Sequence, residues 1–532
     1  MIEKIILICT AAAQKISLGL SLKDKSTLKS QSINQSINQS INQSINQSKL
    51  YQYGQYNTRM MTLWAISETF ATIHSHYFVV FLSGGAMMVD NIRWAAYMEI
   101  IYSLPPDPMF TENWKDEWLS RLDALDPCVN KWMPHLLKDD YFKQGSVSED
   151  YSRIKVASFL IGGMADIYSE NVMRTLNGLS CPKRAMVGPW VHLFPHVAEP
   201  GPRWDFCTEA IKWWDRWLKE KESENAETEV LFYLQNQDPA NPRAEHVEGR
   251  WICDPQPIPK IYHLKDGKLG EERGDGVIKF RTKEAVGFCG STSTWPLKVA
   301  DLPGEQSADD MESCYFETEP FSEDTSFCGN PAVHVSIASD RPVASVFLRL
   351  CKVNKTGESV LLSYTAWNLT HDASHKTFTP LTPGNFKEVD IRFRVVSEMV
   401  EKDSRLRLCF STGLFPLFVP NPEPTTLTLD LAKCSLSMPH FQKFSPYKKA
   451  TPEPLNPSSL PTTLLSNPYT MLKSYSDGST GGMTKQYSYS TGQRKFEEHG
   501  LITEWKTETR DSILPDDPTS AQVHLTQQAN WL

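Results

Sequence analysis

One stretch, residues 152–192, restricts the fold more than any other part of the chain. It opens with the apolar run Ile154-Lys155-Val156-Ala157-Ser158-Phe159-Leu160-Ile161, whose length and β-branched content predict a buried strand. Gly162-Gly163-Met164-Ala165 then leads to Asp166, and a helix is predicted over Ser169–Leu179. After Cys181-Pro182, the run Arg184-Ala185-Met186-Val187 gives a second short strand, which continues through Gly188-Pro189-Trp190-Val191 into His192. A crossover helix of this length makes the two strands parallel neighbours in one sheet. Asp166 and His192 are therefore expected at the same edge.

In an open α/β sheet the carboxyl ends of the strands form the reactive edge. A carboxylate there can accept the imidazole Nδ1 proton, fix the tautomer, and stabilise the imidazolium formed when the other nitrogen takes a proton. Acid followed by histidine is the chain order of an α/β-hydrolase, whose serine lies upstream on a Gly-x-Ser-x-Gly elbow. On spacing alone a second reading stands beside this one: Asp166 as a loop residue capping the helix at Ser169, and His192 as a surface residue after a turn.

The words around the pair narrow the choice. Gly-Gly-Met-Ala-Asp-Ile-Tyr-Ser (162–169) and Val-Gly-Pro-Trp-Val-His (187–192) resemble the acid and histidine segments of the Xaa-Pro dipeptidyl-peptidase/cocaine-esterase family, the CocE/NonD hydrolases. Glu209-Ala210-Ile211-Lys212-Trp213-Trp214-Asp215-Arg216-Trp217-Leu218-Lys219 is similar to the Trp-rich helix that ends the family's catalytic domain. Three motifs in this order, within about 60 residues, carry more than any one of them. The resemblance implies Asp166 and His192 as catalytic acid and base, with no metal and no organic cofactor.

The remaining sequence sets the surroundings. A net charge of −9 and the lack of any Lys/Arg block argue against a nucleic-acid surface. No run of about 18 apolar residues predicts a membrane-spanning helix. Eleven scattered cysteines without a Cys-x-x-Cys pair lean towards free thiols in a reducing, cytoplasmic setting. Lys4 and the short apolar run Ile5 to Ala13 faintly resemble a secretory signal, against which Glu3 counts. Residues 1–60 are expected to be disordered, because the Ser-Ile-Asn-Gln repeat from Ser32 to Gln47 cannot bury enough apolar surface to offset its chain entropy. The sequons at Asn34, Asn38, Asn42 and Asn46 belong to that one repeat.

Residues 61–222 read as part of an α/β-hydrolase domain. Within it, Gly84-Gly85 and Met87 to Trp94 resemble a segment downstream of the family's serine elbow. Trp114, Trp118, Leu122 and Leu125 form a helical stripe continued by Trp132, Leu136 and Leu137, expected in a helical cap at about 95–150 either as core or as the wall of an apolar pocket. The charged run to Glu229 reads as a linker. Beyond it the period changes from 3.6 to 2: Val333, Val335 and Ile337; Val346, Leu348 and Leu350; Val389, Ile391, Phe393 and Val395; Leu406, Leu408 and Phe410; Leu427, Leu429 and Leu431. These predict an antiparallel β-sandwich over 228–445, and the resemblance implies the family's jelly-roll (galactose-binding-like) domain. His371 and His375 in it are read as structural. Residues 446–532 form an extension, partly β.

No Gly-x-Ser-x-Gly occurs in the sequence. Ser83, Ser291 and Ser293 fail as nucleophiles by context or chain order, so none is assigned and the chain reads as N-terminally incomplete. The implied activity is hydrolysis of an Xaa-Pro peptide or an acyl ester, with a small ester or short peptide as substrate. The alternative is an inactive remnant whose jelly roll binds a partner.

Overall fold

The computed structural model describes residues 5–9, 82–103, 105–106, 111–166, 168–219, 228–291, 302–441, 445–446, 462–466, 469–474, 484–496 and 502–531. The Ser-Ile-Asn-Gln repeat lies outside them. The expected central unit is present. Strand β1 (Ile5–Cys9) is followed by β2 (Ala157–Gly163), helix α1 (Ser169–Gly178), β3 (Lys183–Gly188), helix α2 (Phe206–Lys219), β4 (Thr228–Asn236) and β5 (Glu248–Cys253). β2 and β3 are parallel, with Gly162 opposite Val187 and Gly163 opposite Gly188.

All seven residues of β2 are buried because both faces are covered. Leu160, Ala185 and Val187 pack with Val172 and Leu176 of α1. Phe159, Ile161 and Met186 pack on the other side with Trp213 of α2. Arg184 crosses this layer, its guanidinium held by Glu209 at 2.7 Å and Glu229 at 2.8 Å.

Two details differ from the sequence reading. Ile5–Cys9, inside the stretch expected to be disordered, pairs in parallel with β2 on the edge that β3 leaves open. Glu229 is not linker but part of β4, which continues the parallel sheet beside β3 before β5 turns back antiparallel. A boundary at 222/228 therefore does not separate two sheets. β4 and β5 carry the hydrogen bonding onward, through Gln235 to Glu398 and through Ile252 and Cys253 to Ser445–Pro446, into one large curled mixed sheet.

The second half is mostly antiparallel. Ser345–Val353 lies between Ser359–Asn368 and Arg405–Ser411, while Ala332–Ser339 pairs with Lys387–Arg392. The alternating positions read from the sequence converge on one core: Val335, Ile337, Leu348, Ile391, Leu408 and Leu429 are all almost fully buried there. Their neighbours Glu388, Asp390 and Arg392 face water, as a period of two requires.

Helices at Asp90–Ser103, Trp114–Asp123 and Cys128–Trp132 precede β2. The Trp114 helix buries no residue, and Leu122 of its apolar stripe is 37% exposed. The C-terminal segment forms a five-stranded antiparallel sheet whose Ile513 packs with Val89, Phe288 and Phe415. Its Asp511 holds Arg93 at 2.7 Å, and Asp90 holds the same guanidinium at 3.1 Å. No described helix is long and apolar enough to cross a membrane.

Candidate active site

The turn after β2 and the turn after β3 are tied together before either side chain meets. Met164 N donates to Gly188 O at 2.8 Å and Ala165 N to Trp190 O at 3.1 Å. Gly163 permits this closeness, since a Cβ there would stand 2.0 Å from Trp190 O. Trp190 is itself buried, and its Nε1 donates to Pro202 O at 2.8 Å.

This frame brings Asp166 and His192 into contact: Asp166 Oδ2 and His192 Nδ1 are 2.8 Å apart. Asp166 is fully buried, and the His192 side chain is 12% exposed. The other carboxylate oxygen, Oδ1, accepts the backbone N–H of Tyr168 at 3.1 Å. Both acid oxygens are thus fixed, and an acceptor on Nδ1 places the remaining imidazole lone pair on Nε2. Among the described residues no group hydrogen-bonds Nε2. The pair can therefore take up a proton from a group approaching that nitrogen.

Tyr168 is a neighbour that sequence reasoning did not single out. It supplies the N–H just described, and its ring lies 5.1 Å from the imidazole. Burial, with Asp166 and Asp90 nearby, pushes its hydroxyl well above the usual tyrosine range. Its signal in the sequence is its position two after the acid, where an Asx-type turn takes its backbone donor.

Ser83 is half-buried in the short hairpin that precedes the Asp90 helix, and Ser291 is 5% exposed in the wall of a cavity described below. Ser293 lies outside the described residues. His371 and His375 are buried together, their Nδ1 atoms 3.3 Å apart, against Gly85. Gly85 has a φ of +78°, and a Cβ on it would come within 2.4 Å of His371 Nδ1. Among the described residues no group of three or more His, Cys, Asp or Glu side chains is placed to hold a metal ion.

Comparison with known proteins bears on the family and the fold. A family model of the X-Pro dipeptidyl-peptidase (S15 family) matches residues 53–194, which include Asp166 and His192. A model of the X-Pro dipeptidyl-peptidase C-terminal non-catalytic domain matches residues 218–450. No curated protein matches the chain in sequence. Among solved structures, a CocE/NonD family hydrolase from Staphylococcus aureus is similar with a TM-score of 0.51 at 12% identity, over 71% of this chain and 70% of its own. An aminopeptidase from a marine sediment archaeon of the Thaumarchaeota is similar with a TM-score of 0.50 at 16% identity, over 68% of this chain and 70% of its own. At these identities the likeness is one of fold. The two family models succeed each other along the chain and together span more than half of it, and on that ground the chain belongs to the X-Pro dipeptidyl-peptidase family of hydrolases.

Proposed function

We propose that Asp166 and His192 are the orienting acid and the general base of a Ser-His-Asp acyl-transfer centre acting on an Xaa-Pro peptide or an acyl ester. The observation that carries this reading is the 2.8 Å bond between Nδ1 and the fully buried Asp166 carboxylate, with Nε2 left open. In this mechanism a serine Oγ attacks the carbonyl carbon while Nε2 takes its proton. The imidazolium, steadied by Asp166, then returns the proton to the leaving amine or alkoxide. Water, deprotonated by the same nitrogen, resolves the acyl-enzyme to a carboxylic acid. The helices at about 95–150 are read as a cap over this edge, and residues 228–445 as a jelly roll whose first strand continues the parallel sheet.

A second reading is favoured by one feature of the sequence, the lack of any Gly-x-Ser-x-Gly elbow. In it the pair is a remnant and the β domain binds a partner.

Labelling of the native polypeptide with a fluorophosphonate probe, with its intact mass and peptide map, separates the two. The hydrolase reading expects one serine to be modified, and ester or Xaa-Pro anilide turnover to be lost in His192→Ala. No modified serine and no turnover leaves the remnant.

A further inference from the structure

A cavity of about 220 Å³ lies where the two halves of the chain meet. Its walls include Ala165, directly before Asp166, and Pro189, three residues before His192. Gln235–Glu248 crosses one side, and the β domain closes it with Val360–Tyr364 and Arg394–Val396.

Arg394 is the unusual member of this wall. Its guanidinium carbon sits 3.8 Å from the centroid of the Tyr364 ring, a cation–π seat that fixes the plane of the group. Its Nε is buried and makes no hydrogen bond. Among the described residues no carboxylate lies within 4.0 Å of it. Arg349 and Arg407, the guanidinium groups drawn inward elsewhere in this domain, are both matched at 2.7 Å by Asp310.

The acids on the cavity wall do not make up the difference. Asp238 is occupied by Asn354, whose Nδ2 donates to it at 2.7 Å, and Glu248 is exposed to solvent. Taking a cation partly out of water without a counter-charge is unfavourable, and an arriving anion relieves it. The neighbouring wall, with Val360, Leu361 and Val395, is aliphatic.

We propose that this cavity is a binding site for a small organic carboxylate, its anionic group on the Arg394 guanidinium above Tyr364 and its apolar body against Val360, Leu361 and Val395. Hydrolysis of an ester or amide releases a carboxylic acid, ionised at neutral pH, at the strand edge that Ala165 and Pro189 share with the acid and the histidine. That connection to turnover rests on the reading of Asp166 and His192 given above, whereas the binding itself does not.

Benzoate titrated calorimetrically into the full-length protein tests the site, with benzamide as the uncharged analogue of the same shape. The expected result is saturable one-to-one binding of benzoate, at least tenfold tighter than benzamide, weakened at least tenfold in Arg394→Gln and unchanged in His192→Ala. Should Arg394→Gln fail to fold, the comparison of benzoate with benzamide on the unaltered protein, and a loss of affinity in Tyr364→Leu, carry the test. Benzoate and benzamide binding alike, no saturation, or full affinity in folded Arg394→Gln overturns the proposal. Benzoate binding without any ester or peptide turnover leaves the carboxylate site standing and removes only its connection to hydrolysis. Turnover without benzoate binding does the reverse.

Discussion

Replacing Glu284 by glutamine should remove a pH dependence that this one carboxyl group imposes on stability. Glu284 is 1% exposed and neither carboxyl oxygen has a hydrogen-bond partner. Its backbone N–H donates to Pro515 O at 2.7 Å, so it sits where the C-terminal sheet meets the β domain. Gly413 closes the other side, close enough that a Cβ there would lie 2.9 Å from Oε2.

Burial is the largest influence on this group and pushes its pKa up to about 8. Arg281 opposes the shift, and Asp516 and Asp517 add to it. The sign follows from the two states. Below about pH 4.5 the carboxyl is protonated in both, and its ionisation adds no pH dependence. Between there and pH 8 the unfolded chain gives up its proton while the folded chain keeps it, so stability falls as pH rises. At about 1.4 kcal/mol per pH unit, the loss between pH 5 and pH 7.5 is about 3 kcal/mol. Glu284→Gln presents an uncharged group of similar shape throughout.

Equilibrium urea unfolding followed by tryptophan fluorescence at pH 5, 6, 7 and 7.5 gives the comparison. The stability of the variant relative to the unaltered protein should climb by about 3 kcal/mol across that range. A difference that stays flat within about 0.5 kcal/mol would refute the reasoning, because it would mean that the carboxylate ionises in place at its ordinary pKa.

Three further outcomes are expected. His375, held down to about 4 by burial and then by His371, with Asp372, Lys138 and Lys387 also facing it, should cost the fold about 3 kcal/mol as pH falls from 6.5 to 4. The unfolded chain protonates first in that window, and urea unfolding of His375→Gln should show the dependence gone. Lys352 and Glu398 form a fully buried pair at 2.7 Å, further tied to Asn236 Oδ1 at 2.9 Å. Lys352→Met should destabilise by about 3–5 kcal/mol, with much of the loss recovered in Lys352→Met/Glu398→Leu, measured by the same unfolding experiment. In a preparation that turns over an ester, Asp166→Asn should lower kcat by about a thousandfold or more with KM little changed, since the amide no longer fixes the Nδ1–H tautomer.

The local pattern of the chain was sufficient for much of this. A period of two placed the strands at Ala332–Ser339, Ser345–Val353 and Arg405–Ser411, because alternation states directly which side of a strand is wet. Strand, acid, helix, strand and histidine predicted parallel neighbours with Asp166 and His192 at one edge, and the short crossover leaves little else for the chain to do. Tertiary structure alone decided what depends on partners far away in sequence. The charged run ending at Glu229 looks like a linker until Arg184, 45 residues earlier, is seen to need that carboxylate. The stripe from Trp114 has helical spacing, yet nothing in its own residues says whether a second surface arrives to cover it, and Leu122 stays exposed. Nothing in the residues next to Glu284 and Arg394 sets either apart in the sequence. Only the closure of Gly413 and Pro515 over the first, and of the Tyr364 ring and the inter-domain cavity around the second, gives them their chemistry. Local sterics and one-sided burial are written into neighbouring residues, whereas desolvation and charge pairing are properties of what the fold later brings alongside.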